Sequence, residues 1–173
     1  MRKRFYSFGL TAPMLFGLAV AAMAQEKTGC DAFAWPIARE QALFAGAQGG
    51  SIPSGTSLPA IPSGAISLEL QSFEKVAFTV PPGRTPKAAG TFGGVVSMGA
   101  LSKAGSYQVT LSDEAWIDVV QNGKEAATTA HSGKRDCPGV RKSVRFDLQA
   151  VPTIIQISGA TAASIKIAIL PAE

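Results

Sequence analysis

The chain has 173 residues, 46% of them hydrophobic and 16% charged, with a formal net charge of +4. That is enough to bury one core but too little for two comfortable domains. The positive charge is no argument for a nucleic-acid or membrane-surface partner: residues 1–24 hold three basic and no acidic side chains, and without them the net charge falls to +1.

Arg2, Lys3 and Arg4 form a positive start, Gly9 to Val20 an apolar stretch, and Ala22-Met23-Ala24 an A-x-A cleavage site before Gln25. This pattern predicts a Sec-type signal peptide spanning 1–24, cleaved after Ala24, and a periplasmic or secreted mature protein with no membrane attachment after cleavage. The apolar stretch is shorter than the roughly 18 residues a membrane span needs. The first cysteine lies at 30, too far from the cleavage site to carry a lipid anchor. Cys30 and Cys137 are the only cysteines in the chain. In an oxidising compartment they are expected to form one disulfide. By the chain-entropy argument, closing a loop of that length contributes up to about 4.7 kcal/mol.

Residues 25–64 read as an amino-terminal helix followed by a Gly/Pro-rich linker. The helix is expected over Gly29 to Ala45, with Pro36 tolerated in its first turn. Ile37, Gln41 and Phe44 fall on one face, and Arg39 and Glu40 point away. A helix this short needs a body to pack on, so its apolar side and Trp35 are expected to lie against the remaining domain. From Gly46 to Gly64, Gly49, Gly50, Pro53, Gly55, Pro59 and Pro62 break every regular period and predict a wrapping loop.

The period then becomes two, which marks residues 65–173 as a strand domain. Ile66, Leu68 and Leu70 alternate with polar neighbours; Val76, Phe78 and Val80 do the same before Pro81-Pro82-Gly83 forces a break. Thr91 to Met98 is a third strand, with a bulge expected at Gly93-Gly94. Tyr107, Val109 and Leu111 share a face, as do Ile117 and Val119, with Trp116, Asp118 and Val120 opposite. Asn122-Gly123 supplies the two positive φ angles of a type I′ turn and predicts a hairpin of Ile117–Gln121 with Lys124–Thr128. After a loop through Cys137-Pro138-Gly139 come strands over Lys142–Leu148, Thr153–Ser158 and Ser164–Leu170. About eight short strands without βαβ alternation predict an all-β fold, a β-sandwich or jelly roll with one helix clipped on by the disulfide; a closed barrel is the alternative.

The run from Val76 to Pro171, in which AGSYQVTLS precedes WIDVVQNG, resembles the bacterial prepeptidase C-terminal type of β-sandwich. The resemblance implies an accessory or binding module. The amino-terminal segment and the insertion HSGKRDCPG depart from that pattern. CDAFAWPIAREQALF together with AHSGKRDCPGVRKSVRF also resembles a group of small secreted proteobacterial proteins, some of which carry a homogentisate 1,2-dioxygenase name. Non-haem iron oxygenases use two histidines and a carboxylate, and this chain has His131 alone.

No catalytic set, metal site or cofactor is expected. With Cys137 in a disulfide, His131 lacks the partners a zinc site needs, and no G-x-S-x-G elbow accompanies it. The candidate ligand-binding residues are His131, Lys134 and Arg135 in the loop, Arg141 and Arg145 on the next strand, and Trp116 with Asp118. In an extended strand Arg141, Ser143 and Arg145 face one way, so the two guanidinium groups suit a carboxylate, phosphate or sulfated sugar; the alternative is a solvated face, with the arginines paired to Asp113, Asp118 or Asp147. Trp116 beside Asp118 is either a core residue or an aromatic platform for a sugar or cation. The expected function is a non-catalytic binding or structural accessory protein, with an anionic or carbohydrate ligand as the partner class; a small periplasmic enzyme is the alternative.

Overall fold

Residues 26–47 and 50–173 are described by the structure, a computed structural model; the leader expected over 1–24 lies outside them. Among these described residues one α-helix, α1 (Ala38–Gly46), precedes twelve strands. These are β1 (Ile52–Pro53), β2 (Ser57–Leu58), β3 (Ile66–Glu69), β4 (Gln71–Ser72), β5 (Phe92–Ala100) and β6 (Gly105–Leu111). There follow β7 (Trp116–Gln121), β8 (Lys124–Glu125), β9 (Thr128–Gly133), β10 (Lys142–Leu148), β11 (Pro152–Ala160) and β12 (Ser164–Pro171).

The strands form two sheets. One runs β1-β3-β12-β6-β10-β9 and the other β2-β5-β11-β7-β8, with β4 also paired to β5. The all-β sandwich expected from the alternating pattern is therefore what forms. Period-two alternation sends Leu68, Val109, Leu111, Phe146 and Ile167 inward from the first sheet and Val96, Val119, Ile155 and Ile157 inward from the second, into one buried cluster. The hairpin turn is made as predicted, with Asn122 at φ 52° and Gly123 at φ 71°, and pairs Gln121 with Lys124.

The amino-terminal segment lies on the outer face of the first sheet, where Phe33, Trp35, Ile37 and Phe44 bury against Val140, Ala168 and Cys137 as a second small core. Cys30 and Cys137 form the expected disulfide. The helix is shorter than expected. A single 3-10 turn covers Gly29–Ala32 and α1 begins only after Pro36, because proline lacks an N–H and biases the residue before it toward extended backbone. Glu40 does not point away: it is fully buried and accepts a hydrogen bond from Gln108 Nε2. The sheet face under the helix is polar at Gln108, Thr110 and Ser143, so a polar helix residue fits there. Arg39 does face solvent, paired to Glu173 at 3.0 Å.

Four further expectations are corrected. Within the stretch expected to be loop, β1 and β2 add parallel edges to β3 and β5. The irregularity does fall at Gly93, but the extra residue is on the partner strand β11: Ser158 and Gly159 lie between Ile157, opposite Gly94, and Ala160, opposite Phe92, where β5 has Gly93 alone. The two glycines allow close approach, since a Cβ on Gly93 would lie 2.8 Å from the Ile157 carbonyl oxygen and 3.2 Å from Phe78 Cζ. The hairpin partner of β7 is only two residues long, and residues 128–133 leave to become β9, an edge strand of the other sheet. His131 is thus on a strand opposite Val144, not in a loop.

The fourth concerns Val76–Val80, which is no strand. It crosses the outer face of the second sheet as a strap, with Val76, Phe78 and Val80 half-buried and the residues between them exposed. Among the described residues no strand edge pairs with it. Side chains of the sheet beneath supply its hydrogen bonds: Gln156 Oε1 accepts from the backbone N–H of Thr79 at 2.7 Å and of Val80 at 3.2 Å, and Gln156 Nε2 donates to Val80 O at 3.0 Å.

Candidate functional site

Alternation along β7 that sends Ile117 and Val119 into the core sends Trp116 and Asp118 out, under the end of the strap. Asp118 is 1% exposed. Its carboxylate accepts from Trp116 Nε1 at 2.7 Å and from the Gly83 N–H at 3.1 Å. Glycine at position 83 lets the chain come close here: a Cβ would lie 2.9 Å from Asp118 Oδ1 and 3.0 Å from Glu125 Oε1, and those side chains would have to give. Pinning Gly83 brings Arg84 over the indole of Trp116, its Cζ 5.6 Å from the ring centroid.

A second cation arrives from the other sheet. Lys142 opens β10 at a position whose alternation, shared with Val144 and Phe146, faces the sandwich interior. Its stem runs between the sheets, and Nζ emerges 4.5 Å from the Trp116 ring centroid, donating to Ala115 O at 3.2 Å. Burial is the main cause that lowers the Lys142 pKa from its ordinary 10.5; Glu114 opposes that shift, Arg84 and Arg141 add to it, and Asp118 opposes it. Trp116 is half-buried rather than a core residue. Around it opens a cleft of about 300 Å³ whose lining includes Arg84, Pro86, Lys87, Ala88 and Thr161.

Next to this cleft, burial and then the Asp118 charge raise the Glu125 pKa above 4.5. The folded state therefore holds that proton to higher pH than the unfolded chain does, and stability falls as pH rises above 4.5 through the raised value. Glu125→Gln is expected to remove this loss and to stabilise at pH 7 by about 0.3 kcal/mol, the low end for a like-charge pair because Glu125 is exposed. Urea unfolding checks it: the two proteins should converge below pH 4.5 and separate above it.

The other sequence candidates do not join the cleft as a group. Arg141 pairs with Glu114, at the mouth of the cleft, instead of with Asp113, Asp118 or Asp147. Arg145 is committed elsewhere: its guanidinium stacks 4.2 Å from the Trp35 ring centroid, donates to Gln108 Oε1 at 3.3 Å and to Glu173 O at 2.9 Å. The two arginines thus serve different partners. His131 is exposed on the edge strand, and Arg135 is exposed beyond it. Lys134 is half-buried where its N–H bonds Arg141 O. Their segment has a mooring role, since Ser132 Oγ accepts from the Ala34 N–H and Asp136 Oδ2 from the Gly29 N–H.

No protein-family model, curated protein or solved structure matches this chain. The cleft stands on its own chemistry.

Two of its groups, Trp116 and Asp118, stand out in the sequence. Arg84 and Lys142 do not, although a lysine at an inward-facing strand position is a signal in its own right. A larger cleft of about 580 Å³ lies beside α1, lined by Phe44, Ser112, Asp113 and Lys166 among others. Its two main polar groups are already bonded inside the fold, Lys166 Nζ to Phe44 O at 2.8 Å and Ser112 Oγ to Asp113 Oδ2 at 2.6 Å. The Trp116 cleft, with cationic donors facing open space, is the better recognition site.

Proposed function

We propose that the protein is an exported, non-catalytic binding or accessory module that works in an oxidising compartment, the periplasm or outside the cell. The observation that carries the binding role is the Trp116 cleft, where an anchored indole and two cations from separate elements line one concavity. The leader pattern of residues 1–24 and the Cys30–Cys137 disulfide support export. The resemblance of residues 76–171 to prepeptidase C-terminal sandwiches points the same way, since such domains are accessory modules.

Expression of the full chain with a carboxy-terminal tag, followed by fractionation and amino-terminal sequencing, tests export. The expected product is periplasmic, begins at Gln25 and shows no free thiol when unfolded without reductant. Full-length protein held in the cytoplasm would overturn the export reading. Turnover of a substrate by the purified protein, lost on His131→Ala, would overturn the non-catalytic one.

A further inference from the structure

The cleft carries more charge than it balances. Arg84, Lys87 and Lys142 line it. The nearby carboxylates are already occupied: Glu114 is in its ion pair with Arg141, Asp118 holds Trp116 and Gly83, and Glu125 leans on Asp118. Among the described residues, neither Arg84 nor Lys142 has a carboxylate within ion-pair distance. A guanidinium has five N–H donors and an ammonium three, and these two use at most a fraction of them on the protein. Lys142 is held partly out of water next to Arg84 and Arg141, and Glu114 and Asp118 offset that cost only in part, so its pKa stays lowered. An oxyanion meeting both groups would supply the remaining counter-charge through charge-assisted hydrogen bonds.

The remaining walls say what the anion is attached to. Pro86, Ala88, Ala115 and the Trp116 indole give an apolar surface, and Thr161 brings a hydroxyl. At about 300 Å³ the cleft is at the small end for ligand sites, room for one ring and its substituents. A bare inorganic anion would leave the apolar wall unused, and a neutral sugar would leave the cations unpaired. We infer, building on the binding reading above, that the Trp116 cleft takes an acidic monosaccharide unit, a uronate whose carboxylate is held by Arg84 and Lys142 and whose ring lies against Trp116 and Pro86.

Isothermal titration of the mature, disulfide-bonded protein with glucuronate, galacturonate, glucose and inorganic phosphate provides the test. At least one uronate should bind at least about tenfold more tightly than glucose or phosphate, and about tenfold more tightly at 50 mM than at 500 mM salt. Lys142→Met and Arg84→Gln should each weaken it about tenfold, while Arg39→Gln, whose guanidinium pairs with Glu173 beside α1 and does not line the cleft, should leave it unchanged. Phosphate binding as tightly as the uronates, glucose binding equally, or no uronate binding at all would overturn the inference. So would uronate binding indifferent to both substitutions. Should the variants misfold, the ligand and salt comparisons on the unsubstituted protein decide alone. None of these failures touches the export and turnover tests of the broader reading.

Discussion

Replacing Cys30 and Cys137 together with alanine is expected to lower the unfolding free energy by about 3 kcal/mol and the melting temperature by about 6–12 °C. The bond spans a sequence separation of 107 and is the covalent tie between the amino-terminal segment and the sandwich. Noncovalent ties near it are partly exposed, Gly29 N–H to Asp136 at 2.7 Å, Ala34 N–H to Ser132 at 3.0 Å and Trp35 Nε1 to Ser143 at 3.2 Å, and further along the segment Glu40 bonds Gln108 and Arg39 pairs with Glu173. Gln41 Nε2 additionally donates to Cys30 Sγ at 3.2 Å. Without the bond these contacts must repay the closure entropy of a long loop unaided. Protease should then cut at the exposed Gly50-Ser51 and release the small core of Phe33, Trp35, Ile37 and Phe44, while the main core stays folded. A urea midpoint unchanged by the double substitution would show that the packing on the first sheet holds the segment by itself.

The same clasp explains how far the fold could be read from the chain. Wherever one face of a strand is apolar and the other polar, as at Ile165, Ile167 and Ile169 or at Tyr107, Val109 and Leu111, burial requires that alternation and the reading succeeds. Asn122-Gly123 succeeds for a local reason, since both residues sit at positive φ. β9, with the sequence TTAHSG, escapes because an exposed edge strand buries little and needs no apolar alternation. Val76–Val80 misleads for the opposite reason: it buries one side like a strand, but the groups that satisfy its backbone come from Gln156, far along the chain. Glu40 misleads because the helix rests on a polar sheet face. The cleft is legible in half, through Trp116 and Asp118, while Arg84 and Lys142 reach it only through the strap and through the gap between the sheets.

Gln156→Leu is expected to cost about 3 kcal/mol, a large effect for one residue that removes no apolar core volume. Gln156 lies on the central strand β11 opposite Asp118 on β7 and is fully buried, yet its amide faces away from the core and bonds three backbone groups of the strap. Leucine leaves those groups either unpartnered beneath the strap, at about 1–3 kcal/mol each, or drives the strap into water with the loss of Phe78 and Val80 burial. The second route is the cheaper, so the observed cost should sit near that of one such group and the strap should become mobile. Amide exchange distinguishes this from a general loss of stability. The Thr79 and Val80 N–H groups should exchange fast in the variant while those of Val119 and Ile155 stay protected. Because Gly83 and Arg84 follow directly on the strap, anion affinity at the Trp116 cleft should fall with it, by about tenfold if Arg84 is fully released. Unchanged protection at Thr79 and Val80 would mean that Gln156 does not hold the strap, and the coupling from sheet to strap to cleft would have to be abandoned.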